Sequence, residues 1–221
     1  MQQDGQASSG ADATRQALIA AALRLFGRSG FEATSTRAIA AAANANIGSI
    51  AYHFGSKEGL REACARHIVA TMRAVAVPAI GLDGPLPAAA EAEARLLGGA
   101  GRMVDFLVST PQAGEIVQFV LRELSAPGPA LDILYGGVFE PVHRRLCQIW
   151  GQATGDDPES EETRLAVFSM IGQVIYFRIG REAVLRRMGW TDYGPAEAAR
   201  LTALFQTNIK AALDARKRTA P

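Results

Sequence analysis

Residues 34–57 read TSTRAIAAAANANIGSIAYHFGSK, and the fold turns on how this stretch divides. Ser35 or Thr36 can cap a short helix that runs through Ala43 with Ile39 facing inward. Asn44-Ala45-Asn46 follows as a turn, since Asn bonds readily to its own backbone. Asn46 can cap a second short helix, Ile47 to Phe54, whose inward positions are Ile50 and Phe54. Gly55 ends that helix, and Ser56 opens a longer one with Leu60, Cys64 and Ile68 on one stripe. Ser56 with Gly59 falls short of a full capping box. Short helix, tight turn, short helix: these are the proportions of a helix-turn-helix.

In that geometry the second helix lies in the major groove and the first braces it. The outward residues suit the task. Ser35 and Thr36 stand at a helix N-terminus, where hydroxyls and free amides can bind a phosphate, and Arg37 adds charge beside them. Asn46, Ser49 and His53 are expected to point away from Ile50 and Phe54. Asn can read adenine with two bonds, and Ser can bond to several bases. Gly48 lets the backbone approach the groove, while Tyr52 and Lys57 are suited to phosphate oxygens. The competing reading is an ordinary Ala-rich helical cluster with a few polar residues.

Working outward, strand signals are nearly absent and helical spacing recurs, so the fold class is all-α. Leu18, Ala22, Leu25 and Phe26 share one face of a first helix that Asp12 or Thr14 can cap and Gly30 ends. The Gln-, Ser- and Gly-rich residues 1–12 read as a disordered arm rather than a signal peptide. Pro78, Gly81, Gly84, Pro85 and Pro87 crowd together as the strongest loop signal. The expected division is therefore a DNA-binding domain over 13–75 and a helical regulatory and dimerisation domain over 76–217. Within the second, helices are predicted over 88–109, 112–125, 131–153, 158–188 and 195–217.

The penultimate of these carries Leu165, Phe168, Gly172, Ile175 and Ile179 at alternating gaps of three and four, the seam of a helix-helix interface. Leu201, Phe205, Asn208 and Ala212 repeat the rhythm on the last helix. Two such helices per subunit can make a four-helix bundle across a two-fold axis, giving a homodimer. The alternative is that both stripes face the subunit's own core. Asp156, Asp157, Glu159, Glu161 and Glu162 cluster where one helix begins, and the helix dipole accounts for them.

Of 221 residues, 48% are hydrophobic and 20% charged, an ordinary globular balance. No uninterrupted apolar run reaches the ~18 residues of a membrane span, so a cytoplasmic location without membrane contact is expected. Net charge is +1, but residues 1–73 hold eight Lys and Arg against five Asp and Glu. That tilt is compatible with DNA contact at the N-terminal end. Cys64 and Cys147 have no metal-ligand spacing and read as reduced core thiols. His53, His67 and His143 are the only histidines, and none belongs to a metal, Ser-His-Asp or Cys-His signature. With no Walker loop and no GxGxxG after a strand, no enzyme, catalytic residue, metal or cofactor is expected. The rival to a DNA-binding function is a helical adaptor that binds another protein and no nucleic acid.

Over residues 14–62 the sequence resembles the TetR family of bacterial regulators. The resemblance rests on Leu25-Phe26-x-x-x-Gly30-Phe31-x-x-Thr34-Ser35, on Thr36-Arg37-Ala38-Ile39-Ala40, and on Asn46 through Tyr52-His53-Phe54-Gly55-Ser56-Lys57-Glu58-Gly59-Leu60. The family's usual text there is IA..AGVS...LYYHF.SKE.L. Two positions depart from it: Asn44 replaces the turn glycine, and Ile47 stands where a basic or polar residue is common. Further on, the chain is similar to the CecR-like subgroup. The similarity lies in Leu121-Arg122-Glu123-Leu124, Pro127-x-Pro129-Ala130, Gly172-Gln173-x-Ile175-x-Phe177-x-x-Gly180-Arg181 and Gly189-Trp190.

The resemblance implies an all-helical regulatory domain, a homodimer, and a ligand-responsive regulator. In such a protein double-stranded palindromic operator DNA is the partner, and a small-molecule effector releases the repressor. Phe119, Arg122, Tyr135, His143, Gln173, Tyr176 and Arg181 combine apolar surface with a few polar groups, as an effector pocket requires, though core packing or a surface ion pair explains each singly.

Overall fold

The computed structural model describes residues 4–219 as eleven α-helices, with no strand among them. In order they are α1 (Asp4–Ser29), α2 (Thr36–Ala42), α3 (Gly48–Phe54), α4 (Lys57–Ile80), α5 (Ala89–Val104), α6 (Pro111–Ser125), α7 (Pro129–Leu134), α8 (Glu140–Thr154), α9 (Glu161–Ile179), α10 (Arg181–Met188) and α11 (Pro195–Thr219). Two π-helical turns, Asp105–Ser109 and Tyr135–Phe139, prolong α5 and α7. The second turn ends just before Pro141, which has no N–H to continue a regular ladder.

Several boundaries differ from those expected. The arm expected over 1–12 is helical from Asp4, while residues 1–3 lie outside the described residues. The hydroxyl of Thr14 donates to the Gly10 carbonyl at 3.0 Å, so the helix passes the expected cap position unbroken. Pro111 and Pro129 open helices instead of separating them, because a missing N–H costs nothing in a first turn. The single helix expected over 158–188 is broken at Gly180, whose N–H closes α9 on the Tyr176 carbonyl at 2.7 Å.

The helices gather into two compact units that interleave along the chain. The first takes the chain up to residue 70 together with 115–137. The second takes 71–114 and the chain from 138 onward. These units differ from the division expected at 75/76 in that most of α6 and all of α7 cluster with the N-terminal helices. The core of the first unit joins Leu18, Ile19, Ala22 and Phe26 of α1 to Ile39, Ile50, Leu60, Cys64 and Ile68, and also to Ile116 and Phe119 of α6. The Phe26 ring lies 5.4 Å from Phe31 and 6.4 Å from Phe119. An apolar stripe on a helix shows that something covers it, not which segment does.

In the second unit α5 packs on both α8 and α11, and α9 packs on α8. Leu96, Ile149, Trp150, Val167, Ile209 and Leu213 form its buried centre. The indole N–H of Trp150 donates to Asp156 at 3.2 Å, so the largest core side chain is satisfied. Arg145, nearly buried, donates to the carbonyls of Ile80 at 3.4 Å and Pro85 at 2.5 Å. It thereby ties the end of α4 to the Pro- and Gly-rich loop, while Arg73 holds Asp83 of that loop at 2.5 Å. By length and composition α4 is the one helix among the described residues able to cross a membrane, although its Leu60, Cys64 and Ile68 are wholly buried.

Candidate nucleic-acid interface

Local hydrogen bonds build the surface of α2 and α3. The Thr34 hydroxyl, buried, reaches the carbonyls of Gly30 at 2.7 Å and Leu25 at 3.3 Å and pins the turn after α1. Ser35 caps α2: its hydroxyl accepts from the Ala38 N–H at 3.1 Å. α2 ends in a Schellman motif, with Ala45 N–H on the Ala40 carbonyl at 2.9 Å and Asn44 N–H on the Ala41 carbonyl at 3.1 Å. Asn44 takes φ 50°, the left-handed position that a glycine would otherwise fill. The Asn46 side chain accepts from the Gly48 N–H at 2.8 Å, the second amide beyond it as in an N-cap, while the regular helix begins at Gly48. Gly55, at φ 76°, closes α3. Ser56 then caps α4 through the Gly59 N–H at 3.1 Å.

Gly59 explains the incomplete capping box. A Cβ at that position would stand 2.1 Å from the Phe54 carbonyl oxygen, so the glutamate of a full box is sterically barred. Only a residue without a side chain lets the end of α3 sit this close to the start of α4.

The face that α3 turns to solvent differs from the one expected. Ile50 is buried, and Phe54 is half-buried with the Arg15 guanidinium 5.6 Å over its ring. At about 100° per residue, Gly48 and Tyr52 lie nearly opposite Ile50, whereas Ser49 and His53 lie to its side. Tyr52 is accordingly 82% exposed and Ile47 50%, with Gly48 and Ala51 also open; Ser49 and His53 are half-buried at the edge. His53 is held between ring neighbours, 4.9 Å from Tyr52 and 5.9 Å from Phe54. Asn46 is exposed beside them. Ala51 is the residue that the sequence reading omitted, and its i+4 spacing from Ile47 was the available signal.

The charged residues divide in two. Arg37 and Ser35 are exposed and Thr36 half-buried. Arg37 forms no hydrogen bond or ion pair with any described residue. Lys57 is half-buried and places its ammonium 4.1 Å over the Phe31 ring, a cation–π contact that orients it. Glu58 is the acid beside this surface. A backbone N–H of α4's first turn, and then the Ser56 hydroxyl, hold its carboxyl below the usual range.

The residues expected to line an effector pocket are divided between the two units. Phe119 is a core residue of the first unit. Arg122 donates to the carbonyls of Gly27 at 3.4 Å and Arg28 at 3.2 Å, and Tyr135 is exposed. In the second unit His143 stacks 3.9 Å from Phe168 and faces Cys147 Sγ at 3.7 Å. Gln173 accepts from Asn208 at 2.8 Å. Tyr176 and Arg181 do approach one another, around Tyr193. Arg181 lies 5.8 Å over the Tyr193 ring and pairs with Asp192 at 2.6 Å. Burial raises the Tyr193 phenol, Arg181 and Arg178 pull it the other way, and Tyr176 adds to the rise. Arg178, which the sequence reading passed over, belongs to this group.

The expected interface stripes fare unequally. Leu165, Phe168, Gly172 and Ile179 of α9 are exposed and Ile175 is half-buried, which leaves an uncovered apolar seam. On α11, Leu201 and Phe205 are buried in their own unit, with Phe205 5.4 Å from Phe177. Asn208 and Ala212 are exposed, and Leu204 joins them at 47%. Both faces of α11 carry apolar residues at helical spacing, so periodicity did not separate them. Among the described residues no cluster of His, Cys, Asp or Glu is arranged to hold a metal.

Two family models match the chain. That of the HTH-type transcriptional dual regulator CecR, C-terminal domain, covers residues 92–216, and that of the bacterial regulatory proteins, tetR family, covers residues 18–64. The HTH-type transcriptional dual regulator CecR of Shigella flexneri is 35% identical over 184 residues, spanning 81% of this chain and 82% of that protein. The HTH-type transcriptional regulatory protein RaaS of Mycobacterium tuberculosis is 34% identical over 189 residues, spanning 83% of this chain and 81% of that protein. Among solved structures, AibR in complex with isovaleryl coenzyme A and operator DNA aligns with a TM-score of 0.66 at 16% identity. That alignment covers 87% of this chain and 96% of AibR, a likeness of fold.

Proposed function

The chain belongs to the TetR family of bacterial regulatory proteins, with a CecR-type C-terminal domain, and on that premise we propose that it represses transcription from a palindromic operator until a small-molecule effector releases it. The observation that carries this reading is the outward face of α3. A short helix, bonded at both ends, presents Ile47, Gly48, Ala51 and an 82% exposed Tyr52 to solvent. An aromatic so open contributes nothing to the core and is available to a duplex.

In this reading α3 enters the major groove. Asn46, Ile47, Gly48 and Ser49 meet base edges at its leading end, where Ile47 suits a thymine methyl. Ser35, Thr36, Arg37, Tyr52, His53 and Lys57 contact the backbone on either side. Two copies join through the α9 seam, extended by Leu204, Asn208 and Ala212 of α11. Half-sites about one DNA turn apart, ~34–36 Å, are what such a dimer is expected to read. The complex of AibR with isovaleryl coenzyme A and operator DNA supports a small molecule as effector, since a protein of this fold holds both. Release follows if the effector prefers a state whose two heads do not match the half-site spacing.

The test is footprinting of genomic DNA with the full chain, at two salt concentrations and with and without candidate effectors. Protected palindromes whose occupancy falls with salt and with effector are expected. Protection of no discrete site, or occupancy unchanged by replacing Tyr52 and Ala51 together, removes the reading.

A further inference from the structure

Arg178 occupies a place in α9 where an apolar residue is the rule. Thr163, Val167 and Val174 are buried on that helix's inward stripe, and Arg178 follows Val174 by one turn. It is itself only partly exposed. Its guanidinium lies on the backbone of Gly114, where a Cβ would stand 1.8 Å from Nη2 of Arg178. Any other residue at position 114 excludes the guanidinium from where it lies.

No hydrogen bond or salt bridge joins Arg178 to a described residue. Asp192, the carboxylate that feels its charge, is committed to Arg181 at 2.6 Å and to the Tyr193 N–H at 2.6 Å. The Tyr193 hydroxyl is committed as donor to the Phe177 carbonyl at 2.9 Å. Burial lowers the Arg178 pKa, Arg181 lowers it further, and Asp192 and Tyr193 oppose this. The guanidinium nonetheless stays charged, because its ordinary pKa lies far above neutrality. Two cations thus face one carboxylate, and one planar fork of N–H donors is left with no protein acceptor. Such a fork fits the paired oxygens of a carboxylate or phosphate.

On the same stretch of α9, Tyr176 and Ile179 are each more than half exposed and offer apolar surface beside that head group. The π-helical turn Asp105–Ser109 packs against α9 and is buried at Leu107 and Val108. Turns of this kind recur at functional sites. We propose that Arg178 is the anion seat of the effector site, and that the effector is a small molecule carrying a carboxylate or phosphate on an apolar body. The assignment rests on the effector-responsive reading above and adds the chemical class of the ligand.

Isothermal titration of the full chain with octanoate, octyl phosphate and octanol tests it. Either anion is expected to bind at least tenfold more tightly than octanol, which has the same chain without the charge. The better anion of the two identifies the head group. Arg178→Met is expected to erase the difference, and Arg178→Lys, which keeps the charge without the fork, to retain part of it. Thermal melts establish that both variants are folded. Octanol binding as tightly as both anions, neither anion binding at millimolar concentration, or an undiminished preference in folded Arg178→Met overturns the proposal. Retention of genomic DNA by the unmodified chain, measured in parallel, tests the regulator reading by itself. A chain that binds anions through Arg178 but holds no DNA refutes that reading and leaves the anion seat standing.

Discussion

Arg61 and Glu123 form a bidentate ion pair within the first unit. Nε donates to Oε1 at 2.8 Å and Nη2 to Oε2 at 2.6 Å, with the Glu123 side chain 3% exposed. Arg61 also lies 4.7 Å over the Phe31 ring, beside Lys57. The pair bolts α4, directly after α3, to the segment of α6 that folds into the same unit.

Removing Arg61 leaves the buried Glu123 carboxylate unpaired, so Arg61→Ala is expected to destabilise the protein by about 3–5 kcal/mol, and Glu123→Ala, which leaves the part-exposed Arg61, by less. The double replacement Arg61→Leu with Glu123→Leu should cost less than the two single changes added together. Urea unfolding of the three variants measures this. Additive costs would show that the pair is two independent contacts.

The exposed face of α3 separates binding from stability. Tyr52→Ala should leave the melting temperature within about a degree of the original, since a side chain this open has little packing to lose. The same change is expected to weaken operator binding at least tenfold in fluorescence anisotropy. Arg37→Ala should instead lower affinity evenly across sequences and reduce the salt slope by about one. A Tyr52 variant that melts early but binds normally would relocate the interface.

The uncovered seam of α9 and the buried stripe of α11 predict opposite failures. Phe168→Glu, at a position 60% exposed, should yield a folded monomer in sedimentation with operator binding lost. Leu201→Glu, at a position 3% exposed, should not yield a folded chain at all. If Phe168→Glu sediments as a dimer, the two copies meet elsewhere.

Both thiols should be inert at neutral pH. Burial, and secondarily Glu159, pushes Cys147 from an ordinary thiol pKa up to about 11. Burial raises Cys64 as well, with Glu123 adding to it. Native alkylation by iodoacetamide is therefore expected to stay slow through pH 9 and to quicken above it. The folded state prefers the neutral thiol. Stability linked to Cys147 is thus fully present below about pH 9 and is lost as pH rises through about 11. Fast labelling at pH 7.5, or stability that climbs between pH 9 and 11, contradicts the burial of Cys147.

The sequence alone determined whatever depends on neighbours along the chain. Ser35, Asn46 and Ser56 bond to amides two or three residues away, and Gly55 and Asn44 take up the backbone that their residue types favour. The helix-turn-helix was legible for that reason, and so was the apolar seam of α9. Only the tertiary structure decided matters of contact between distant segments. Phe119 and Glu123 enter the N-terminal unit from α6, Leu201 and Phe205 turn inward, and Arg178 rests on Gly114. Periodicity marks an apolar face but not its cover, and spacing records no distance between residues far apart in the chain. Close packing makes those choices: Gly59 is read as obligatory only once the Phe54 carbonyl that a side chain would strike is in place.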